Sequence, residues 1–212
     1  MRSLVRRTHL ATIVLATTLT LTACDPADEA PPAAPAASAP VSEPTKSASS
    51  TSPAGTGKHT LAEAATVGGL TKATGADAVS DVPVDPGEMR DGMHLVVADY
   101  NRAGQTSGRH IHFVGVDGVP EDPNKRREHL WRGLIDYALQ NGSTGTPTTA
   151  KPYEPGPLGG SLECLSLPES GTPTDVICGW SDTTTAAVAL FPRTTPADAA
   201  RLFAGMRADL EH

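Results

Sequence analysis

Aromatic residues are scarce in this 212-residue sequence, which has three phenylalanines, three tyrosines and two tryptophans. A core with so few rings must rest mainly on Leu, Val, Ala and Ile, so we expect one small domain of modest stability. Basic residues are also few, with 17 Lys and Arg against 24 Asp and Glu, a formal net charge of -7. This balance argues against a generic nucleic-acid-binding protein, because such a protein needs a clustered basic surface.

Long apolar runs are missing as well. The most apolar stretch runs from about Leu10 to Leu21. It is too short to cross about 30 Å of hydrocarbon as a helix, which takes about 20 apolar residues. Three arginines precede it and small residues follow it. This order is typical of a secretory signal peptide.

The residues Leu21-Thr22-Ala23-Cys24 narrow this prediction. They resemble a lipobox, the site at which a bacterial lipoprotein precursor is lipidated on cysteine and cut just before it. The resemblance implies that residues 1–23 are a lipoprotein signal peptide and that Cys24 carries a diacylglyceryl thioether. The mature protein would then be lipid-anchored at the extracytoplasmic face of the cell membrane without spanning it. An ordinary signal peptide cut near Ala23, or an uncleaved anchor, is the alternative.

The cut would remove Arg2, Arg6 and Arg7, leaving 14 basic against 24 acidic residues and a net charge of -10. Such a chain gains no attraction to an anionic bilayer beyond its lipid.

Residues 24–58 are rich in Ala, Pro, Ser and Thr and have almost no apolar bulk. They cannot bury enough surface to offset their ordering entropy, which predicts a disordered tether. Residues 59–212 are then the single globular domain.

Cysteine is the third scarce residue, with only Cys24, Cys164 and Cys178 present. If lipid occupies Cys24, the other two are left as a pair in a compartment where disulfides persist. They flank a turn between two predicted antiparallel strands, where opposite Cβ atoms come close to disulfide range. A redox pair is the alternative, but such pairs favour Cys-x-x-Cys spacing.

The pattern of apolar and breaker residues predicts an α+β domain with strands and helices in the order ββα-βββα. The helices begin at Asp122-Pro123 and at Thr195-Pro196, since both pairs join a capping residue to a proline at the first helical position. A capping box at Thr60-Leu61-Ala62-Glu63 predicts a further short helix. Short turns between neighbouring strands favour a small antiparallel sheet with the helices packed on one face. The two halves share the order strand, turn, strand and proline-started helix, which also suggests a distant internal repeat. The predicted strands cover residues 94–100, 109–116, 161–167, 175–181 and 184–191.

The C-terminal part carries a resemblance of its own. Gly156-Pro157-Leu158-Gly159-Gly160, then Cys164, then Cys178-Gly179-Trp180-Ser181-Asp182 resemble a group of uncharacterised actinobacterial secreted and lipid-anchored proteins. The resemblance covers about 55 residues. It implies a surface location and a disulfide, and it brings no catalytic residues.

Three histidines form the one constellation that suggests chemistry. His110 and His112 alternate on a predicted strand and so share a face, and His94 lies on the partner strand. Converging imidazoles with one open position are typical of catalytic zinc, which activates a bound water for hydrolysis. A zinc-dependent hydrolase using His94, His110 and His112 is therefore the alternative function. Solvated or hydrogen-bonded strand histidines are the simpler interpretation.

No nucleophile elbow, phosphate loop or Ser/His/Asp set is found in the sequence. We therefore expect a monomeric, non-enzymatic lipoprotein without a cofactor. Its role would be in binding, sensing or the cell envelope, toward a protein or small-molecule partner that the residues do not identify. The basic run Lys125-Arg126-Arg127 is expected to be a solvated helix start.

Overall fold

The computed structural model of the protein describes residues 57–75, 78, 84–105, 107–168 and 174–212. The predicted signal peptide, Cys24 and nearly all of the predicted tether lie outside these residues. The described chain forms one antiparallel sheet in the order β1-β2-β3-β4-β8-β7-β6-β5, together with two helices. The elements are β1 (Thr66–Val67), β2 (Leu70–Lys72), β3 (His94–Asn101), β4 (Ile111–Asp117), α1 (Pro123–Gln140), β5 (Lys151–Tyr153), β6 (Ser161–Leu167), β7 (Asp175–Ser181), β8 (Ala186–Phe191) and α2 (Pro196–Leu210).

The two helices begin where the sequence predicts. The Asp122 side chain accepts a hydrogen bond from the backbone N–H of Asn124, and Pro123 takes the first position of α1. Thr195 caps α2 in the same way by accepting from the N–H of Asp198, and Pro196 follows it. In both cases the cap satisfies a backbone donor that has no partner within the helix.

The helices lie on opposite faces of the sheet, so the prediction that both pack on one face is wrong. On α2, Phe203 and Met206 pack with Phe113 and Trp180 of the sheet. On α1, Leu130 and Leu134 pack with the next residues along the same strands, such as Val114. Alternate residues of a strand point to opposite faces, so both faces of the central strands are buried.

This arrangement gives no support to an internal repeat. The centre of the sheet is β3-β4-β8-β7, with β4 and β8 antiparallel. A two-fold axis normal to the sheet would exchange these two hairpins, but it would leave both helices on one face. The helices of this protein are on opposite faces, so the two halves are not related by such an axis.

The aromatic residues are few but concentrated. All three phenylalanines lie with Trp180 on the α2 face, and the Phe203 ring centroid is 4.4 Å from that of Trp180 and 5.5 Å from that of Phe191. Paired rings add about 0.5–1.5 kcal/mol beyond their buried area. The aliphatic core expected from composition therefore describes the α1 face, whereas the α2 face is built around rings.

Three local predictions differ from the structure. The segment after Thr60 is not helical: its backbone pairs with the C-terminus, Thr60 N–H donating to His212 C=O and Ala62 N–H to Leu210 C=O. The strands β1, β2 and β5 were not predicted, since each has only two or three residues. Arg126 and Arg127 are buried rather than solvated.

Both buried arginines are paired, as buried charges must be. Arg126 binds the Glu121 carboxylate and the Glu88 carbonyl oxygen, which is 2.9 Å away. Arg127 reaches the sheet, where it contacts Glu163 at 2.7 Å. These arginines therefore anchor α1 to its surroundings.

Candidate functional site

A cleft of about 580 Å³ opens at one end of the sheet. This end, which we call the carboxylate end, is where β3 begins, β4 ends and the turn between β7 and β8 lies. The first described residues of the domain form part of its wall, including Lys58, His59 and Thr60. Further walls come from His94, Asp117 and Thr184. A cleft of this volume is in the range of small-molecule sites.

His59 links the cleft to a group of buried carboxylates. Its backbone N–H donates to the Thr184 hydroxyl at 3.1 Å, which fixes the segment against the β7–β8 turn. Its Nδ1 lies 3.0 Å from Glu211 Oε1 and 3.7 Å from Asp182 Oδ2. The His59 side chain is 15% exposed, whereas the two carboxylates are almost fully buried. His59 is thus the solvent-facing member of this group.

Arg207 of α2 neutralises the carboxylates from the other side. Its guanidinium pairs with Glu211 and also with Asp182, whose Oδ2 is 3.0 Å from it. The guanidinium lies over the Trp180 ring, 5.6 Å from the centroid. The Thr185 hydroxyl donates to Glu211 Oε1 at 2.8 Å. The two carboxyls therefore have charged and hydrogen-bonding partners within the group, as a buried ionic cluster requires, whereas His59 Nδ1 is buried and makes no hydrogen bond to a described residue.

The pKa values of the two carboxyls are driven apart. Burial alone would raise the pKa of Asp182, but hydrogen bonds from Glu211 and from the N–H groups of Thr184 and Thr185 lower it to about 2. Burial is the largest cause that raises the pKa of Glu211, and the hydrogen bond with Asp182 raises it further, whereas Arg207 acts to lower it. Two close carboxyls commonly separate in this way, one staying ionised while the other holds its proton.

His94 is a second imidazole on the cleft. Its side chain is 72% exposed, and its Nδ1 lies 3.0 Å from Asp117 Oδ1. Asp117 is buried and also accepts the Leu61 N–H at 2.7 Å. The buried Asp117 carboxylate thus orients the His94 imidazole, an arrangement that fixes which ring nitrogen faces the solvent.

The three histidines predicted as a zinc set do not come together. In the β3–β4 register, His94 is opposite Asp117 and His112 is opposite Asp99. Asp99 lies five residues after His94 on β3, so the His94 and His112 side chains are on opposite faces of the sheet. His110 contacts the Asn101 side chain. The His112 ring contacts Asp99 and, through Nε2, the Tyr137 hydroxyl at 2.7 Å, where it is buried against α1. His94 and His112 are thus hydrogen-bonded strand histidines, and His110, which directly precedes β4, is hydrogen-bonded as well.

The predicted disulfide is confirmed. Cys164 and Cys178 are bonded, and they are directly opposite each other in the β6–β7 register. Cys24, the predicted lipidation site, lies outside the described residues.

Sequence reasoning missed the carboxylate cluster because its members are far apart in the chain. His59 and Thr184 are 125 residues apart, and Arg207 and Asp182 are 25 apart. Only the i,i+4 spacing of Arg207 and Glu211 on the last helix is a local signal. Among the described residues, His59, Asp182 and Glu211 form the one group whose ligand-type atoms all lie within 4.8 Å of one another.

No family model matches the chain, and no curated protein or solved structure matches it. Within the described part of the chain, no helix is both long and apolar enough to cross a membrane.

Proposed function

We propose that the protein is an extracytoplasmic lipoprotein, anchored through Cys24, whose domain has a non-enzymatic binding or sensing role. The anchor is supported by the basic N-terminal residues, the short apolar run and the lipobox-like sequence before Cys24. A diacylated cysteine holds a protein stably, since two acyl chains give much stronger membrane attachment than one.

The observation that carries the binding role is the cleft at the carboxylate end. Its lining includes Lys58 and two imidazoles: His94, which the buried Asp117 carboxylate positions, and His59, which lies beside the buried Glu211 carboxylate. These groups suit a small polar ligand with several hydrogen-bond acceptors. The wall that carries Lys58 and His59 directly follows the proposed tether, so a ligand in the cleft would contact the chain where it enters the domain.

Two measurements test this proposal. Cys24→Ser is expected to move the protein from the membrane fraction to the soluble fraction, and retention in the membrane would refute the anchor. Amino acids, dipeptides and disaccharides, added to the full-length protein, are the probes for the cleft. At least one is expected to shift the imidazole NMR signals of His59 and His94 saturably, and the shift should be lost in His94→Ala. A full set of probes without any shift would refute binding of this class at the cleft.

A divalent-cation site is the second candidate, because three ligand-type atoms from His59, Asp182 and Glu211 converge. It replaces the predicted set His94, His110 and His112, which the fold separates. Arg207 opposes it, since its guanidinium already occupies both carboxylates. Zinc titration of the full-length protein separates the candidates. Stoichiometric binding that is lost in Glu211→Gln and retained in Asp198→Asn, an exposed-carboxylate control, would favour the cation site.

A further inference from the structure

The opposite end of the sheet carries a pocket of about 380 Å³ lined by three arginines. This end, which we call the arginine end, is where β3 ends, β4 begins and β8 ends. Arg102 and Arg109 lie on the β3–β4 connection, and Arg193 follows β8. None of the described residues that line the pocket is acidic, and Gln105 and Ser107 supply neutral polar groups. Such a pocket is unexpected in a chain whose acidic residues exceed its basic ones.

One of the three arginines is already neutralised. The Arg109 guanidinium pairs with Asp175, and it lies 3.4 Å from the Ser143 hydroxyl. Asp175 also accepts the Ser143 hydroxyl at 2.5 Å and the Arg193 backbone N–H at 3.1 Å. The single buried carboxylate behind the pocket therefore balances Arg109 and has little capacity left for a second guanidinium.

Among the described residues, the other two guanidiniums have no such partner. Of the ion pairs formed by described residues, the Arg109–Asp175 pair is the only one that includes an arginine of this pocket. Arg102 contributes its backbone N–H to Gln105 Oε1 at 3.1 Å, and Gln105 in turn donates to the Arg109 carbonyl. These bonds tie Arg102 to Gln105 and Gln105 to Arg109, and they do not use the Arg102 guanidinium. Arg102 and Arg193 thus bring two positive charges to the lining of one small pocket.

The backbone at Arg193 is strained. Its φ is 52°, and it is the only described residue other than glycine with a positive φ. Glycine is the residue that adopts this conformation readily, so an arginine is held here against its local preference. Strained residues of this kind cluster at functional sites. At this position an exposed arginine forms part of the pocket lining, where a glycine would provide no charge.

From these observations we propose that the arginine end binds the phosphate group of a small soluble solute, either free phosphate or a phosphate monoester. Guanidinium groups bind phosphate through paired N–H donors. A phosphate monoester carries a charge of about -1.5 to -2 at pH 7, which matches the two unpaired guanidiniums better than a carboxylate does. This site lies at the other end of the sheet from the cleft and is independent of the proposed function.

Titration calorimetry of the full-length protein in detergent, with inorganic phosphate and with glycerol 3-phosphate as probes, tests the proposal. Saturable binding of either probe is expected to weaken at least tenfold in Arg102→Ala and in Arg193→Gly. The glycine variant relieves the backbone strain, so loss of binding there cannot be attributed to misfolding. Arg201→Ala removes an exposed arginine of α2 and changes the net charge equally, and it should bind like the wild type.

Tighter binding of one probe identifies whether the solute is free phosphate or a monoester, and either result supports the site. The proposal is overturned if neither probe binds saturably, or if Arg201→Ala weakens binding as much as Arg193→Gly. Binding to phosphatidylglycerol vesicles without binding to either soluble probe would also overturn it, since the arginines would then serve a membrane surface.

Discussion

The two ends of the central sheet hold charge in opposite ways. At the carboxylate end, Asp182 and Glu211 are almost fully buried, and Arg207 and His59 contact both of them. At the arginine end, the described residues include three arginines that are half-buried or exposed, and one of them, Arg109, is paired with a carboxylate. The comparison shows that a closed ionic cluster stabilises the fold, because removing one member leaves the other charges buried without a partner. An incomplete cluster at the surface can be completed by a ligand.

The largest effect is expected from opening the closed cluster. Arg207→Met removes the guanidinium and leaves the Asp182 and Glu211 carboxyls buried without it. We expect a loss of about 3–5 kcal/mol in the free energy of unfolding, measured by urea denaturation. Arg201→Met on the same helix is the control, and as an exposed substitution it should stay within about 0.5 kcal/mol of the wild type. Equal losses in the two variants would contradict a structural role for the cluster.

The disulfide lies between the two ends of the sheet, since Cys164 and Cys178 are in the middle of β6 and β7. Its removal gives a change in stability with which the changes at both ends can be compared. Replacing both with alanine is expected to cost about 2–4 kcal/mol, the usual value for closing a loop of this size. Urea denaturation of the variant measures the cost. Thiol labelling of the denatured, non-reduced protein should find neither cysteine, and labelling of either would contradict the bond.

The pH dependence of stability distinguishes the two carboxyls. The lowered pKa of Asp182 makes a contribution that is present above about pH 4 and is lost as the pH falls toward 2. The raised pKa of Glu211 makes the opposite contribution, present below about pH 4.5 and lost as the pH rises through the folded-state value. Glu211→Gln should therefore reduce the decline in stability above pH 4.5, as urea denaturation across pH can show. An unchanged slope above pH 4.5 would contradict the assignment.

The smallest effect is expected from relieving strain at the arginine end. Arg193→Gly suits a φ of 52°, and the backbone N–H that donates to Asp175 is retained. Glycine relieves the backbone strain of the folded state, but it also increases the conformational entropy of the unfolded chain. The net effect is a stabilisation of about 0–1 kcal/mol. Arg193→Ala keeps the strain and should show no gain. A glycine variant less stable than the alanine variant would show that the backbone is not strained.

Local signals account for what the sequence predicts correctly. Asp122-Pro123 and Thr195-Pro196 determine the helix starts, and apolar runs bounded by turn residues indicate the long strands. The capping box at Thr60 fails because pairing of that segment with the C-terminus overrides a local preference. The buried Arg126 and Arg127 were missed because a charge run does not reveal the carboxylates that pair with it.

The faces of the helices and the content of the site are long-range properties. A strand buried on both faces offers a surface to each helix, so the pattern does not decide between one face and two. His59, Asp182 and Glu211 meet only because the N-terminal segment, the β7–β8 turn and the end of α2 converge. The histidine prediction failed for a similar reason. The cross-strand partner of His112 is five residues after His94 on β3, so the two histidines are on opposite faces of the sheet.

The free energy of unfolding with and without saturating phosphate, measured for wild type, Arg207→Met and Arg193→Gly in full-length protein, tests the contrast between the ends most directly. A ligand that binds the folded state adds stability that grows with the logarithm of the ligand concentration relative to Kd, so weaker binding gives a smaller increment at the same concentration. Arg207→Met should lower the baseline and keep the phosphate increment, whereas Arg193→Gly should raise the baseline by no more than about 1 kcal/mol and lose most of the increment. An increment that survives in Arg193→Gly, or is lost in Arg207→Met while that variant remains folded, would contradict the account.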